Sequence, residues 1–100
     1  MNFLVRIELH WPPDGDPAQF EALTLAEAQR AHELAVDGTL VRLWRLPGKR
    51  ANVGLWAAPH GTALHAALAS LPFFPWLEIE VTALAHHPND PGDASRAAEA

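Results

Sequence analysis

The feature that most constrains this chain is the order in which its hydrophobic periods follow one another. Residues 2–10 repeat every two: Phe3, Val5, Ile7 and Leu9 fall on one side, Arg6, Glu8 and His10 on the other. Strict alternation of this kind predicts a half-buried strand. Trp11 to Pro17 then breaks every regular pattern. Pro12 and Pro13 cannot donate to a ladder, Asp14-Gly15 is a turn signal, and Asp16 before Pro17 is a capping carboxylate ahead of proline at the first helical position. Residues 17–37 are rich in Ala, Leu, Glu and Gln and end at Gly38, a fitting residue after a helix C-terminus.

Two further strands follow. In 39–47, Val41, Leu43 and Arg45 are expected on one face and Leu40, Arg42 and Trp44 on the other. Pro47-Gly48 suits the centre of a type II turn. In 51–57, Val53 and Leu55 alternate with Asn52 and Trp56, which predicts a hairpin with the preceding strand. Gly61 or Thr62 can cap a short helix through Ser70, with Leu64, Ala67, Leu68 and Leu71 as its stripe. Pro72 and Pro75 bracket an apolar connector whose two phenylalanines call for packing partners, and 76–85 alternate again as a fourth strand.

The order β-α-β-β-α-β predicts an α+β, ferredoxin-like domain: an antiparallel four-stranded sheet with two helices on one face. One domain over 1–88 is expected, followed by a flexible tail over 89–100 that is rich in Pro, Asp and Ala and lacks periodicity. With Trp44 and Trp56 expected on the face away from the helices, that face needs a cover. A second copy of the chain is the natural one, as in a dimeric α+β barrel, so a homo-oligomer of at least two chains is expected.

Composition excludes several functions. The formal net charge is −5 and no basic block exists, so no nucleic-acid partner is expected. Cysteine is absent, which removes disulfides, thiol nucleophiles and thiolate metal sites. The apolar start contains Arg6 and Glu8, so it reads as neither export signal nor membrane span; no membrane partner is expected, and a cytoplasmic location is. Six histidines invite a metal site, yet His60 and His65 miss a helical i,i+4 face and His86-His87 point apart in an extended chain. No metal and no cofactor are expected, and no phosphate loop or nucleophile elbow appears.

Two features remain that point to chemistry. The first is Glu27. On the first helix the apolar stripe runs through Phe20, Leu23, Thr24, Ala31 and Leu34, and at ~100° per residue Glu27 falls in its middle. A carboxylate aimed at a core costs several kcal/mol unless paired, protonated or lodged in a cavity. Two roles are open to it: half of a structural ion pair with an arginine, or a proton carrier whose pKa burial has raised. The second is the stretch from Gly38 to Asn52, which holds Arg42, Arg45, Lys49 and Arg50, four of the chain's seven Lys and Arg. A net-acidic chain that concentrates positive charge this way suits a small anion. Arg45 shares the apolar alternation of Val41 and Leu43, whereas Arg42, Lys49 and Arg50 sit where solvated side chains are commonest.

Three runs carry a family resemblance: Leu71-Pro72-Phe73-Phe74-Pro75-Trp76-Leu77-Glu78-Ile79-Glu80-Val81; Leu43-Trp44-Arg45 with Gly48, Ala51 and Asn52; and His87-Pro88. Together they resemble muconolactone delta-isomerase over about 1–88, and Glu27 stands at the position of a family glutamate. The resemblance implies a cofactor-free isomerase of aromatic-compound catabolism, in the β-ketoadipate pathway. It moves the ring double bond of muconolactone to give 3-oxoadipate enol-lactone. It also implies decamers built of dimers, with pockets near subunit interfaces. In that reading Glu27 transfers the proton. Asn52, with Lys49 or Arg50, stabilises the developing enolate; Arg45 or Arg42 binds the free carboxylate and Trp44 walls the ring. Three positions depart from the family pattern: Lys49-Arg50 replace a common His-Tyr, and Thr24 replaces a basic residue. Two other readings share the same residues: a dehalogenase of chlorinated muconolactone, and a non-catalytic dimeric module that binds a small acidic ligand.

Overall fold

The computed structural model describes residues 1–92. The elements are β1 (Asn2–Leu9), α1 (Pro17–Val36), β2 (Leu40–Leu46), β3 (Ala51–Ala57), α2 (Gly61–Ala69), a single 3-10 turn (Phe74–Trp76) and β4 (Leu77–Leu84). The strands form one sheet in the order β2-β3-β1-β4, every neighbouring pair antiparallel. This is the ferredoxin-like arrangement expected from the order of periods. The expected tail divides: 89–92 are described and turn back, with the Asp90 N–H donating to the His87 carbonyl at 3.0 Å, while 93–100 lie outside the described residues.

Residues directly opposite in an antiparallel pair share a face. Phe3, Val5 and Ile7 of β1 therefore lie with Trp56, Gly54 and Asn52 of β3 on one side, and with Ala83, Val81 and Ile79 of β4 on the other. The helices pack on this face and leave the end of β4 open, where Val81 is 46% exposed. The core joins Phe3, Val5, Ile7 and Trp56 to Leu34 of α1 and to Leu64, Leu68 and Leu71 on and after α2.

Local chemistry ends each helix. Asp16 accepts from the Ala18 N–H at 3.0 Å with Pro17 at the first helical position. Gly38 takes φ +87° just beyond the helix end, and Thr39 N–H donates to the Leu34 carbonyl at 2.9 Å. Between β2 and β3, Gly48 takes φ +78°, the positive value that a type II turn requires after proline.

Three expectations need correction. A bulge at Val41 shifts the β2–β3 register between Leu40 and Arg42, so Leu40 shares the helix-covered face with Leu43 and Arg45 instead of lying with Trp44. Trp56 does not lie on the open face: it stands opposite Phe3 and is only 2% exposed. The cap of α2 is the side chain of His60, whose Nδ1 accepts from the Ala63 N–H at 3.1 Å, rather than Gly61 or Thr62. Trp44 does lie on the open face, at 43% exposure, with the Arg42 guanidinium 4.9 Å from its ring centroid.

Gly54 allows this packing. A Cβ there would stand 2.9 Å from Trp56 Nε1 and 3.0 Å from the Arg42 carbonyl oxygen. Gly54→Ala is therefore expected to lower unfolding free energy by about 1–3 kcal/mol, the usual cost of overpacking a core. Urea unfolding at neutral pH measures it, and an unchanged midpoint would contradict this account of the Trp56 packing.

Candidate active site

α1 is most deeply buried near its C-terminal end, where Leu34 is 2% exposed. About two and four turns earlier, Glu27 and Phe20 are only half-buried. A cavity of about 540 Å³ lies there, between α1, the sheet and the 71–77 connector. That volume is in the range of small-molecule sites. Phe20, Thr24 and Glu27 line it from α1, at the i, i+4, i+7 spacing of one helix face. Ile7, Asn52 and Arg45 line it from β1, β3 and β2; they stand side by side in one cross-strand row. Leu43 contributes from β2, Arg50 and Ala51 from the start of β3, and Phe73 and Leu77 from the connector and β4.

Glu27 is the one acidic group in this lining. Its Oε1 accepts a hydrogen bond from the Phe73 backbone N–H at 3.1 Å. Burial, the larger influence, pushes its carboxyl up from the ordinary glutamate value, and the Phe73 N–H pulls it part of the way back. Arg6–Glu8, His10 with Glu8 and Glu78, and Arg30–Glu33 form ion pairs, and among the described residues Glu27 forms none with an arginine.

The cations of the lining are guanidiniums. Arg50 lies over the Phe20 ring at 5.1 Å from its centroid, a cation–π contact between two residues of the lining. Its carbonyl accepts from the Leu9 N–H at 2.8 Å, which ties the start of β3 to the end of β1. Asn52 Oδ1 is buried without a hydrogen-bond partner among the described residues. Thr24 spends its hydroxyl on the Phe20 carbonyl, 2.8 Å away.

Of the residues singled out in the sequence, Glu27, Asn52, Arg45 and Arg50 converge on the cavity, and Trp44, Lys49 and Arg42 do not. Trp44 lies between Leu43 and Arg45 in a strand; since both face the cavity, it must point away, and it cannot wall this chain's own pocket. Arg42 shares its open face, and Lys49 is exposed in the turn. Sequence reasoning missed Trp11, which packs against Phe20, Phe73 and Trp76 at centroid distances of 5.3, 6.1 and 4.9 Å. This aromatic cluster joins the start of α1 to the connector that supplies the Phe73 N–H. Glu8, His10 and Glu78 bring one ligand atom each within 4.8 Å of one another on the open face, away from the cavity. His10 Nε2 already bridges the two carboxylates there, at 3.2 and 2.9 Å.

A model of the family described as muconolactone delta-isomerase matches residues 1–90. This chain belongs to the muconolactone delta-isomerase family. The muconolactone Delta-isomerase of Pseudomonas aeruginosa is 39% identical over 89 residues, which cover 89% of this chain and 93% of that protein. Its counterpart from Cupriavidus pinatubonensis is 35% identical over 89 residues, covering 89% and 97%. A crystal structure of muconolactone isomerase at 3.3 Å resolution superposes with a TM-score of 0.85 at 38% identity, covering 91% of this chain and 95% of that one. The family match therefore spans α1, the sheet and the 71–77 connector that shape the cavity.

The raised carboxyl has a consequence for stability. A folded-state pKa above the unfolded one makes ionisation unfavourable to folding. That cost is absent below the unfolded value, enters as pH rises between the two, and is complete above the folded value. Glutamine retains an oxygen for the Phe73 N–H and cannot ionise. Glu27→Gln should thus unfold at a temperature equal to or higher than wild type at pH 7, with the advantage vanishing at pH 3; a lower melting temperature at pH 7 would contradict the assignment.

Proposed function

We infer that this chain isomerises muconolactone to 3-oxoadipate enol-lactone without a cofactor, with Glu27 as the proton carrier. The observation that carries this reading is a cavity-facing carboxyl with a raised pKa and no cation partner. Such a group is basic enough to take a proton from carbon, and it is not already spent on an ion pair.

The ring carbon of the substrate that bears both the ring oxygen and the carboxymethyl arm holds an acidic hydrogen. Its acidity comes from conjugation through the double bond to the lactone carbonyl. Glu27 takes that proton: the C–H bond breaks, an O–H bond forms on the carboxyl, and the electron pair delocalises through the ring double bond onto the lactone carbonyl oxygen as a dienolate. The same carboxylic acid then returns the proton to the carbon next to the carbonyl, two ring atoms away, and the double bond ends in its new place. Both carbons present to one face of a flat ring, so one carboxyl serves both steps.

The dienolate needs nearby donors where its charge develops, and the Asn52 amide and the Arg50 guanidinium are suited to that. Arg45 is suited to the free carboxylate, which a guanidinium can bind through two parallel hydrogen bonds. The apolar walls, Ile7, Leu9, Leu43 and Phe73, keep water from the dienolate. Thr24 leaves the helix side of the cavity without a cation, and Arg50 supplies one from the turn side. Lys49 in this reading contributes only to the positive field around the entrance.

Assembly belongs to the same proposal. Leu4, Val53, Leu55 and Trp44 form an apolar patch on the open sheet face, with Arg6 beside it on β1, Arg42 on one edge strand and Glu80 on the other. A two-fold axis would set each charge against its opposite on a second copy. The protein is thus at least a dimer, with the decamer of the resemblance as the larger state, and its location is cytoplasmic. Trp44 acts in that contact.

Purified protein incubated with muconolactone should produce the enol-lactone, followed by proton NMR. Glu27→Gln should lower kcat about a thousandfold with the fold retained. Arg45→Ala should act mainly on KM, raising it about tenfold or more, as expected for loss of a carboxylate partner. Absence of turnover by the wild type, or full activity in Glu27→Gln, would overturn the reading.

A further inference from the structure

We propose that the Phe73 backbone N–H divides the labour between the two oxygens of Glu27: it holds Oε1, and it leaves Oε2 as the atom that takes and returns the proton. The proposal rests on the Glu27 reading above and deepens it by naming the positioning group and the reacting atom.

The first observation is asymmetry. Oε1 receives the Phe73 N–H at 3.1 Å, and Oε2 has no hydrogen-bond partner among the described residues. Oε2 is not sealed away either, since the buried side-chain atoms without partners are Asn52 Oδ1 and Trp56 Nε1. One oxygen is satisfied and the other is open, on a side chain that lines the cavity.

The second observation is why Phe73 is the donor. Pro72 and Pro75 have no N–H to offer. The Phe74 N–H is spent on the Leu71 carbonyl at 2.9 Å and the Trp76 N–H on the Phe73 carbonyl at 2.8 Å. Phe73 therefore holds the one N–H between 72 and 76 that no backbone carbonyl takes. The same turn bonds hold its backbone in place, and its ring packs against Phe20 and Trp11 at 5.5 and 6.1 Å. The donor cannot follow the carboxyl if the carboxyl turns.

The consequence is mechanistic. Exchanging the two oxygens by rotation would break the Phe73 bond, so the carboxyl keeps one oxygen towards the substrate. In the first step the ring C–H bond breaks and the proton joins Oε2. In the second, Oε2–H gives the same proton to the carbon beside the carbonyl. Oε1 remains an acceptor throughout. Because an N–H bond is stronger to a carboxylate than to a carboxylic acid, Phe73 also keeps the base ionised at a lower pH than burial alone would allow.

The test replaces Phe73 by its α-hydroxy-acid analogue, which turns the N–H into an ester oxygen and leaves the ring unchanged. The acid limb of kcat/KM should move to higher pH and kcat should fall about tenfold relative to wild type. A folded ester variant with an unmoved limb overturns the proposal. An independent measurement needs no variant. In the wild type, the Phe73 amide proton should shift downfield as pH rises, with the midpoint of the kcat/KM acid limb; no titration, or a different midpoint, overturns it. If Glu27→Gln keeps full activity, the Glu27 reading itself falls. If Glu27→Gln is inactive and the limb does not move in the ester variant, only the role of Phe73 falls.

Discussion

Glu27 keeps its place on the buried stripe of α1 because a single backbone N–H meets its carboxyl. An ion pair would have held it more firmly and left it with a depressed pKa, useless for taking a proton from carbon. Full burial without a donor would have kept it protonated. The arrangement found is intermediate: partial burial raises the pKa and the Phe73 N–H opposes the rise. Much of the remaining site serves this balance. The prolines on either side of the 73–74 pair fix the donor, the Trp11–Phe20–Phe73–Trp76 cluster ties the connector to the start of α1, and β1 and β2 add apolar walls to the cavity.

The sheet carries two tasks on its two faces. One face meets the helices, and its β2–β3 end is left open beneath the first half of α1; there Arg45, Asn52 and Ile7 form a row opposite Glu27. The other face presents Trp44, Val53, Leu55 and Leu4 and suits a second copy. Strict alternation separates the tasks: Leu43 and Arg45 belong to the cavity and Trp44 to the opposite surface, although the three are consecutive. The bulge at Val41 lets Leu40 join the core with Trp56 while Leu43 and Arg45 still face the cavity.

The fold was legible because each element carries its own period and its own stop signal. Glu27 was legible for a related reason, since a charge on an otherwise apolar helical stripe is visible without coordinates. Arg45 followed from its place among Val41 and Leu43. What could not be read has specific physical causes. A bulge leaves no mark in a run of alternating residues, so Leu40 was assigned to the wrong face. Trp56 was expected on the open surface because the glycine that makes room for it, Gly54, is two residues away and its space is a matter of packing. The Phe73 contribution is a backbone group 46 residues from its acceptor, and no residue type announces it. Trp44 was joined to the pocket through the resemblance, against its own strand's alternation.

The central claim is that Glu27 is a cavity-facing carboxyl held neutral to a higher pH than its exposed counterparts, with no ion pair among the described residues. Carbon-13 NMR of the side-chain carboxyl, assigned by comparison with Glu27→Gln, measures this directly in the folded protein. The account predicts a midpoint above the ordinary glutamate value. A midpoint at or below that value would mean that Glu27 is solvated or ion-paired, and it would contradict the account.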